Sequence, residues 1–448
     1  MTSRRTLLAV GVGAILGIAL CVGSLQAKRT DSDDELYKQL ELFTDAVSLI
    51  QADYVEQPPP KQLVYGALKG MLSTLDPYSQ FLDPDSYNEL KIDTEGQFGG
   101  LGIEITLKDE MLTVITPIDD TPAFKAGLKP GDRIVKINNE LTRGITLMDA
   151  VKKLRGAPGT PVSLVVLREG ENQLREFTVT RDIIKIKSIR EAKFLEPGIG
   201  YIRVTDFRES TPDDIKQALD TLKGKPMDGI IIDLRNNPGG LLDVTVEVAE
   251  LFLQRNDLIV STKGRLKNQN LEFHSRGEDV TAGVPMVVLI NEGSASASEI
   301  FAGAMQDHKR GILLGTKSHG KASVQTIFPM KDGSALKLTT SKYFTPAGRM
   351  IHGQGIVPDV VVPFEAPPEP TKEEQAAADK DKDKPKSDEI FDAIEHPDEP
   401  AKKAAALDNQ LSRAIDLLKG IKVYQSSRKT SSSLLSRHQA PAMREAHR

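Results

Sequence analysis

The densest chemical signal in the chain is Ser294-Ala295-Ser296-Ala297-Ser298-Glu299, which follows the apolar run Met286–Ile290 and leads into a helical pattern over Ile300–Gln306. Small residues at a strand-to-helix junction leave room for a substrate backbone. A hydroxyl at a helix start also sits near the positive end of the helix dipole and near unpaired N–H groups. Ser296-x-x-Glu299 fits a helix capping box as well, so a serine here has a purely structural reading, though capping does not call for three serines alternating with alanines. A serine nucleophile needs a base. His308 and His319 follow, and His319 would suit a Ser-His-Asp arrangement. Lys317 and Lys321 are the other candidates, because a lysine in an apolar pocket loses its proton more easily and serves as a neutral base. Gln325 stands four residues beyond Lys321 in an extended stretch, Ala322–Phe328, where even spacing shares a face and the amide could orient the amine. A second loop, Asp233-Leu234-Arg235-Asn236-Asn237-Pro238-Gly239-Gly240, also follows an apolar strand, and its paired glycines expose backbone N–H groups of the kind an oxyanion hole requires.

The elements that would position these groups follow from pattern and composition. The chain has 448 residues, enough for about three domains with tails, and 39% of them are hydrophobic and 27% charged. Lys and Arg total 58 against 63 Asp and Glu, a net charge of -5, with no tryptophan. A nucleic-acid partner is not expected, since neither a basic excess nor a stacking surface is present. The one cysteine, Cys21, lies in the N-terminal apolar run, which leaves the rest of the chain without a disulfide, a Cys-ligated zinc or a thiol nucleophile.

Arg4 and Arg5 followed by an uncharged run from Leu7 to Ala27 read as an export signal over 1–27, long enough to stay as an inner-membrane anchor over 7–27. Leu36, Leu40, Phe43, Val47, Ile50 and Tyr54 form one apolar seam on a helix, suited either to the chain's own core or to a helix-on-helix dimer. Pro58-Pro59-Pro60 stops that helix, another begins at Gln62, and together they make a helical N-terminal segment, 28–95. Short strands with turn signals fill 96–182, including the alternating Ile103–Leu107, and a helix is predicted over Thr146–Leu154. From 183 to 365 strands and helices alternate; Gly229–Leu234 and Met286–Ile290 are continuous apolar runs of the kind buried on both faces, which points to an α/β layered core. A charged linker spans 366–403, with 7 Lys and 11 Asp or Glu in 371–403. An amphipathic helix is expected in 404–425, ended by Gly420, and a disordered tail over 426–448.

Taken together the motifs closely resemble the carboxyl-terminal processing peptidases, or tail-specific proteases. Gly70-Met71-Leu72-Ser73-Thr74-Leu75-Asp76-Pro77-Tyr78-Ser79, Tyr343-Phe344-Thr345-Pro346-Ala347-Gly348-Arg349 and Gly353-Gln354-Gly355-Ile356-Val357-Pro358-Asp359 carry the likeness alongside the serine and glycine loops, over roughly 35–363. The resemblance implies a Ser-Lys dyad whose lysine lies 25 residues after the middle serine. That selects Ser296 and Lys321, with Gln325 assisting and the backbone N–H groups of Gly240 and Ala297 as oxyanion donors. It implies a crotonase-like α/β core with an inserted PDZ domain, and no metal or cofactor.

In the PDZ reading Leu101, Gly102 and Ile103, within Gly100-Leu101-Gly102-Ile103, form the loop that holds a peptide's terminal carboxylate, while the peptide adds as a strand beside Ile103–Leu107. Ala126-Gly127-Leu128-Lys129-Pro130-Gly131-Asp132-Arg133-Ile134 is typical of such domains. The resemblance also implies an exported, periplasmic serine endopeptidase acting on proteins chosen by their C-termini, cell-wall hydrolases among them; a second copy of the chain and an adaptor protein are the further partners expected, though the sequence itself specifies neither. Two rival readings are a catalytically silent PDZ scaffold, which loss of Ser296 or Lys321 would have favoured, and a Ser-His hydrolase of non-peptide esters.

Overall fold

The computed structural model describes residues 31–168, 170–171, 173–365 and 408–439. The expected export signal and the charged linker lie outside them. The chain divides into two compact units, Met1–Phe81 and Leu82–Arg448.

The first unit carries helices Asp31–Asp53 and Pro60–Ser73. Pro60 opens the second helix at its first position, where a missing N–H costs nothing. The seam on the first helix is open: Leu36, Leu40, Phe43, Ile50 and Tyr54 are all exposed in the single chain. In the motif that follows, the Asp76 carboxylate accepts from the N–H groups of Tyr78 and Ser79 and from the Ser79 hydroxyl, closing a tight turn.

The second unit opens with helix Pro84–Glu95, capped by Asp83 and ended by Gly96 in the left-handed conformation. A small antiparallel sheet follows, in the order Ile103–Lys108, Met111–Pro117, Arg133–Ile137, Pro161–Leu167, Leu174–Thr180. Leu112, Ile134, Leu164 and Val166 fill its core together with Ala150 and Leu154 from helix Leu147–Leu154. Asp132 is fully buried within it and takes a bidentate pair from Arg168 at 2.7 and 2.8 Å. Strand Ile103–Lys108 lies at the sheet edge and contacts helix Leu147–Leu154.

The mostly parallel sheet runs in the order Ile189–Glu196, Ile199–Val204, Gly229–Asp233, Met286–Ile290, Ile312–Gly315, Val360–Val361, and is parallel from the second strand onward. The apolar runs are continuous because both faces are covered. Ile230, Ile232, Val288 and Ile290 pack under helices Thr211–Leu222, Leu242–Glu250 and Ala297–Asp307. The alternate residues Ile231, Val287 and Leu289 pack under Leu411, Ala414, Ile415 and Leu418 of the C-terminal helix. A second, antiparallel sheet pairs Ser323–Pro329 with Ala335–Phe344, and the latter with Leu258–Gly264.

The C-terminal helix runs from Asn409 to Gln439. It passes through Gly420, where an end is predicted, and takes in 426–439, predicted to be disordered. Gly420 adopts no left-handed turn, and a glycine inside a helix costs only about 1 kcal/mol. Packing of the preceding turns on the sheet offsets that cost. Asp408 caps the start through the Leu411 N–H at 3.0 Å.

Candidate active site

The two chemical loops leave the carboxyl ends of neighbouring parallel strands, Gly229–Asp233 and Met286–Ile290, the edge at which open α/β sheets bind their ligands. They are stitched to each other. The Ser294 hydroxyl donates to Leu234 O at 2.7 Å, and the Ser298 hydroxyl to Asn237 O at 2.9 Å. Both serines are fully buried. The Asn291 and Asn236 side chains also join, at 2.9 Å. The flanking serines therefore fasten the turn, and the middle one, half-buried Ser296, lines a cavity of about 280 Å³.

Ser296 sits at φ 54°, ψ -114°, a sparsely populated conformation for a residue with a side chain, and caps helix Ala297–Asp307. Such strain costs about 1–3 kcal/mol and persists only where the surroundings over-determine it. Here they do. The Glu299 carboxylate accepts from Ser296 N–H at 2.9 Å, making the carboxylate half of the capping box.

Gly239 presses on the same turn, and Gly240 on the backbone of Phe207. A Cβ on Gly239 would lie 2.7 Å from Ala295 O and 2.8 Å from Ser296 Cβ; on Gly240 it would meet Phe207 O at 2.1 Å. Only residues without a side chain fit, which gives the Gly-Gly pair a reason beyond turning the chain. Phe207 bridges this loop using Gly239 O and Leu241 N–H, which leaves the Gly240 N–H outside the ladder. Ala297 is the first residue of its helix, so its N–H has no acceptor within the helix. Both residues line the cavity with Ser296.

Lys321 and Gln325 line it too. Burial, and then the positive charge of Lys337, hold the Lys321 amine below the ordinary lysine range, against a smaller opposing pull from Glu299. The Gln325 amide nitrogen donates to Ser323 Oγ at 2.8 Å and Ser323 O at 3.2 Å, and lies 3.4 Å from Thr339 Oγ1. The other basic candidates fall elsewhere. Lys317 and His319 are exposed and His308 binds Leu258 O at 2.7 Å; none of the three lines the cavity. Among the described residues no group of His, Cys, Asp or Glu is placed to hold a metal.

Three residues at the site escape a reading of local sequence. Glu299 is fully buried and, besides Ser296 N–H, accepts from the Ser318 hydroxyl at 2.6 Å, Gly320 N–H at 2.6 Å and Lys321 N–H at 2.9 Å. The capping-box spacing marked it, but only as a cap. The buried phenol of Tyr343 lies 3.0 Å from Ser296 O and also contacts Lys321 O. Lys337 lines the cavity from strand Ala335–Phe344; a half-buried lysine opposite Ile327 leaves no sequence signal of its own.

In the PDZ-like unit Gly102 has φ +75° and its Cβ would fall 2.3 Å from Thr121 Cβ. The Gly102 carbonyl accepts from Ile118 N–H and the Thr121 hydroxyl, and Leu101 is buried. The turn leading into edge strand Ile103–Lys108 is thereby fixed from behind.

An α/β core with an appended PDZ domain and a serine at a strained strand-to-helix turn defines a serine-type peptidase. The model for peptidase family S41 matches residues 198–362, a PDZ domain matches 113–168, and the N-terminal domain of the activating protease CtpB matches 19–86. A carboxy-terminal-processing protease of Bartonella bacilliformis is 44% identical over 354 residues, 78% of this chain and 81% of that one. A carboxyl-terminal-processing protease of Synechocystis is 39% identical over 70% of this chain and 74% of its own length. CtpB of Bacillus subtilis is 36% identical over 74% and 69%. The chain belongs to the carboxyl-terminal processing peptidases.

Proposed function

We propose that this peptidase is an exported endopeptidase that selects proteins by their C-terminal tails and cleaves them with a Ser296–Lys321 dyad in a crotonase-like core. What carries the reading is the convergence of Ser296, Ala297, Gly240, Lys321 and Gln325 on one cavity, with the lysine amine partly buried.

The Ser296 hydroxyl attacks the scissile carbonyl and gives its proton to neutral Lys321. The negative oxygen of the tetrahedral adduct is met by the Gly240 and Ala297 N–H groups. Collapse breaks the C–N bond, and Lys321 returns its proton to the leaving amine. Water then adds to the acyl-enzyme, Lys321 again takes and returns a proton, and Ser296 is released. Gln325, anchored through its amide nitrogen, offers its carbonyl oxygen to the Lys321 amine. The tail binds as a strand against Ile103–Lys108, with its carboxylate at Leu101, Gly102 and Ile103.

Arg4, Arg5 and the run 7–27 support export to the periplasm and an inner-membrane anchor. The exposed seam of helix Asp31–Asp53 supports self-association. Cell-wall hydrolases are the expected substrate class, delivered with an adaptor. The test compares proteins that accumulate in cells carrying Ser296→Ala with those in wild-type cells. Proteins sharing apolar C-termini should build up; an unchanged population would refute the reading.

A further inference from the structure

Lys321 is not the only amine in the catalytic cavity. Lys337 reaches it from the strand paired with the one that carries Gln325; in the register Gln325 lies opposite Thr339 and Ile327 opposite Lys337. What the other walls present is uncharged: Leu90 and Thr94 from helix Pro84–Glu95, Leu241 and Leu242 beyond the glycine loop, and Gln325 and Ile327 from the paired strand. No Asp or Glu lines the cavity among the described residues. Glu299 acts on Lys321 from the side of helix Ala297–Asp307, but its oxygens already accept four hydrogen bonds. The Tyr343 phenol faces the backbone carbonyls of Ser296 and Lys321.

Two ammonium groups in one half-buried cavity repel each other, and the low local polarisability makes that repulsion larger than in water. The pair therefore sheds its first proton at a lower pH than either amine would alone. The repulsion is reciprocal, and burial lowers both amines. Because the dyad reading requires an uncharged Lys321, the remaining charge of the pair falls to Lys337.

We propose that Lys337 is an electrostatic positioning residue for the dyad: its ammonium disfavours a second positive charge in the cavity and leaves Lys321 as the uncharged member of the pair. The proposal rests on the Ser296–Lys321 reading and extends it, since it assigns the setting of the base to a residue that does not touch the reacting atoms.

The test uses the full-length protein and a short peptide ester, following kcat and KM separately across pH. Lys337→Met keeps most of the aliphatic stem and removes the charge. Its acid limb should move to higher pH by about half a unit, about threefold in rate on that limb, with the high-pH plateau of kcat retained. Lys337→Arg keeps a charge at every usable pH and should retain the wild-type limb. Raising the salt concentration should shift the wild-type limb in the direction of Lys337→Met.

Should Lys337→Met not fold, Lys337→Gln takes its place beside Lys337→Arg. An unmoved acid limb in the uncharged variants overturns the proposal, and a rise in KM with the limb unmoved does so by making Lys337 a substrate contact. Lys321→Ala separates the two failures. If that variant is inactive while the limb of Lys337→Met stays put, only the role of Lys337 falls. If Lys321→Ala keeps the plateau rate, the dyad itself falls and this proposal with it.

Discussion

Ser296 and Lys321, 25 residues apart in the chain, hang from one oxygen: Glu299 Oε2 accepts from the N–H of each at 2.9 Å. The other oxygen of the same carboxylate holds Ser318 and Gly320, both at 2.6 Å. Charge-assisted bonds of this kind are stronger than neutral ones. The relative position of the proposed nucleophile and base is thus set through their backbones, by a residue whose side chain is buried.

Replacing that carboxylate should separate the two. Glu299→Gln keeps the volume but turns an NH2 group towards donors that need an acceptor, which should cost about 3 kcal/mol of stability. Cleavage should fall by more than ten-fold in kcat. The lost negative charge had pulled Lys321 upward, so the acid limb of the residual activity should move to lower pH. Thermal unfolding and a pH–rate profile check both; a limb displaced upward would refute the argument.

The Lys321 amine sits below its ordinary value of 10.5. Activity should therefore rise as pH climbs through the lowered value, and be lost in acid as the amine charges. Ser296→Ala and Lys321→Ala should abolish cleavage with the fold intact, and Lys321→Arg should also be inactive because a guanidinium stays protonated. His319→Ala should be mild, since His319 is exposed and away from the cavity. The same shift carries a stability term. A lysine lowered in the folded state binds protons more tightly when unfolded, so stability rises with pH between the lowered value and the ordinary one. Lys321→Met should then raise Tm at neutral pH while removing activity.

Gly239→Ala would place a methyl group 2.7 Å from Ala295 O and 2.9 Å from Ala297 N. The expected outcome is a displaced serine turn and loss of cleavage, with tail-peptide binding to the PDZ domain preserved. Isothermal titration with a tail peptide, run beside an activity assay, distinguishes this from general unfolding.

Arg235 joins the glycine loop to the C-terminal helix. Its guanidinium is paired with Asp233 at 2.7 Å and Asp408 at 2.8 Å, and donates to Gln410 at 3.0 Å. Burial raises the Asp408 carboxyl, but the Arg235 bonds outweigh it and hold the group below the usual range. That contribution is present above the ordinary carboxylate value and lost only as pH falls through the lowered one. Arg235→Ala should leave Asp233 buried without its partner, at a cost of about 3–5 kcal/mol. Truncation after Phe364 should lower Tm further by baring Ile231, Val287 and Leu289. Calorimetry on the two variants checks the order.

The helix Pro84–Glu95 touches both halves of its unit. Arg155 of the PDZ domain donates to both oxygens of Glu89 at 2.6 Å, while Leu90 and Thr94 of the same helix line the catalytic cavity. A tail peptide that binds two placements of the PDZ domain unequally would then alter the cavity. Added in trans, it should change the hydrolysis rate of an ester too short to reach the PDZ groove, and Arg155→Ala should remove the effect. An unchanged rate in the wild type would leave the PDZ domain as a tether alone. Gly102→Val, which collides with Thr121, should abolish tail binding in either case.

Residue types and spacing alone brought forward the serine stretch Ser294–Ser298, the Gly239-Gly240 pair and the candidate bases Lys317, Lys321 and His319, because each lies in a short segment whose local pattern names its element; the likeness to the family chose Ser296 and Lys321 among them. The continuous runs Gly229–Asp233 and Met286–Ile290 likewise announced strands covered on both faces, since periodicity is a property of neighbours in sequence. The tertiary structure decided what depends on contacts between distant segments. It made Glu299 a hub rather than only a cap, by folding Ser318–Lys321 back onto it. Leu234 and Asn237 carbonyls turned Ser294 and Ser298 into fasteners, and the register of two paired strands put Lys337 into the cavity. The C-terminal helix continues past Gly420 because its earlier turns are buried on the sheet. A helix stop signal is worth about 1 kcal/mol; the apolar surface covered by Leu411, Ile415 and Leu418 is worth more, and no local pattern shows where that surface lies.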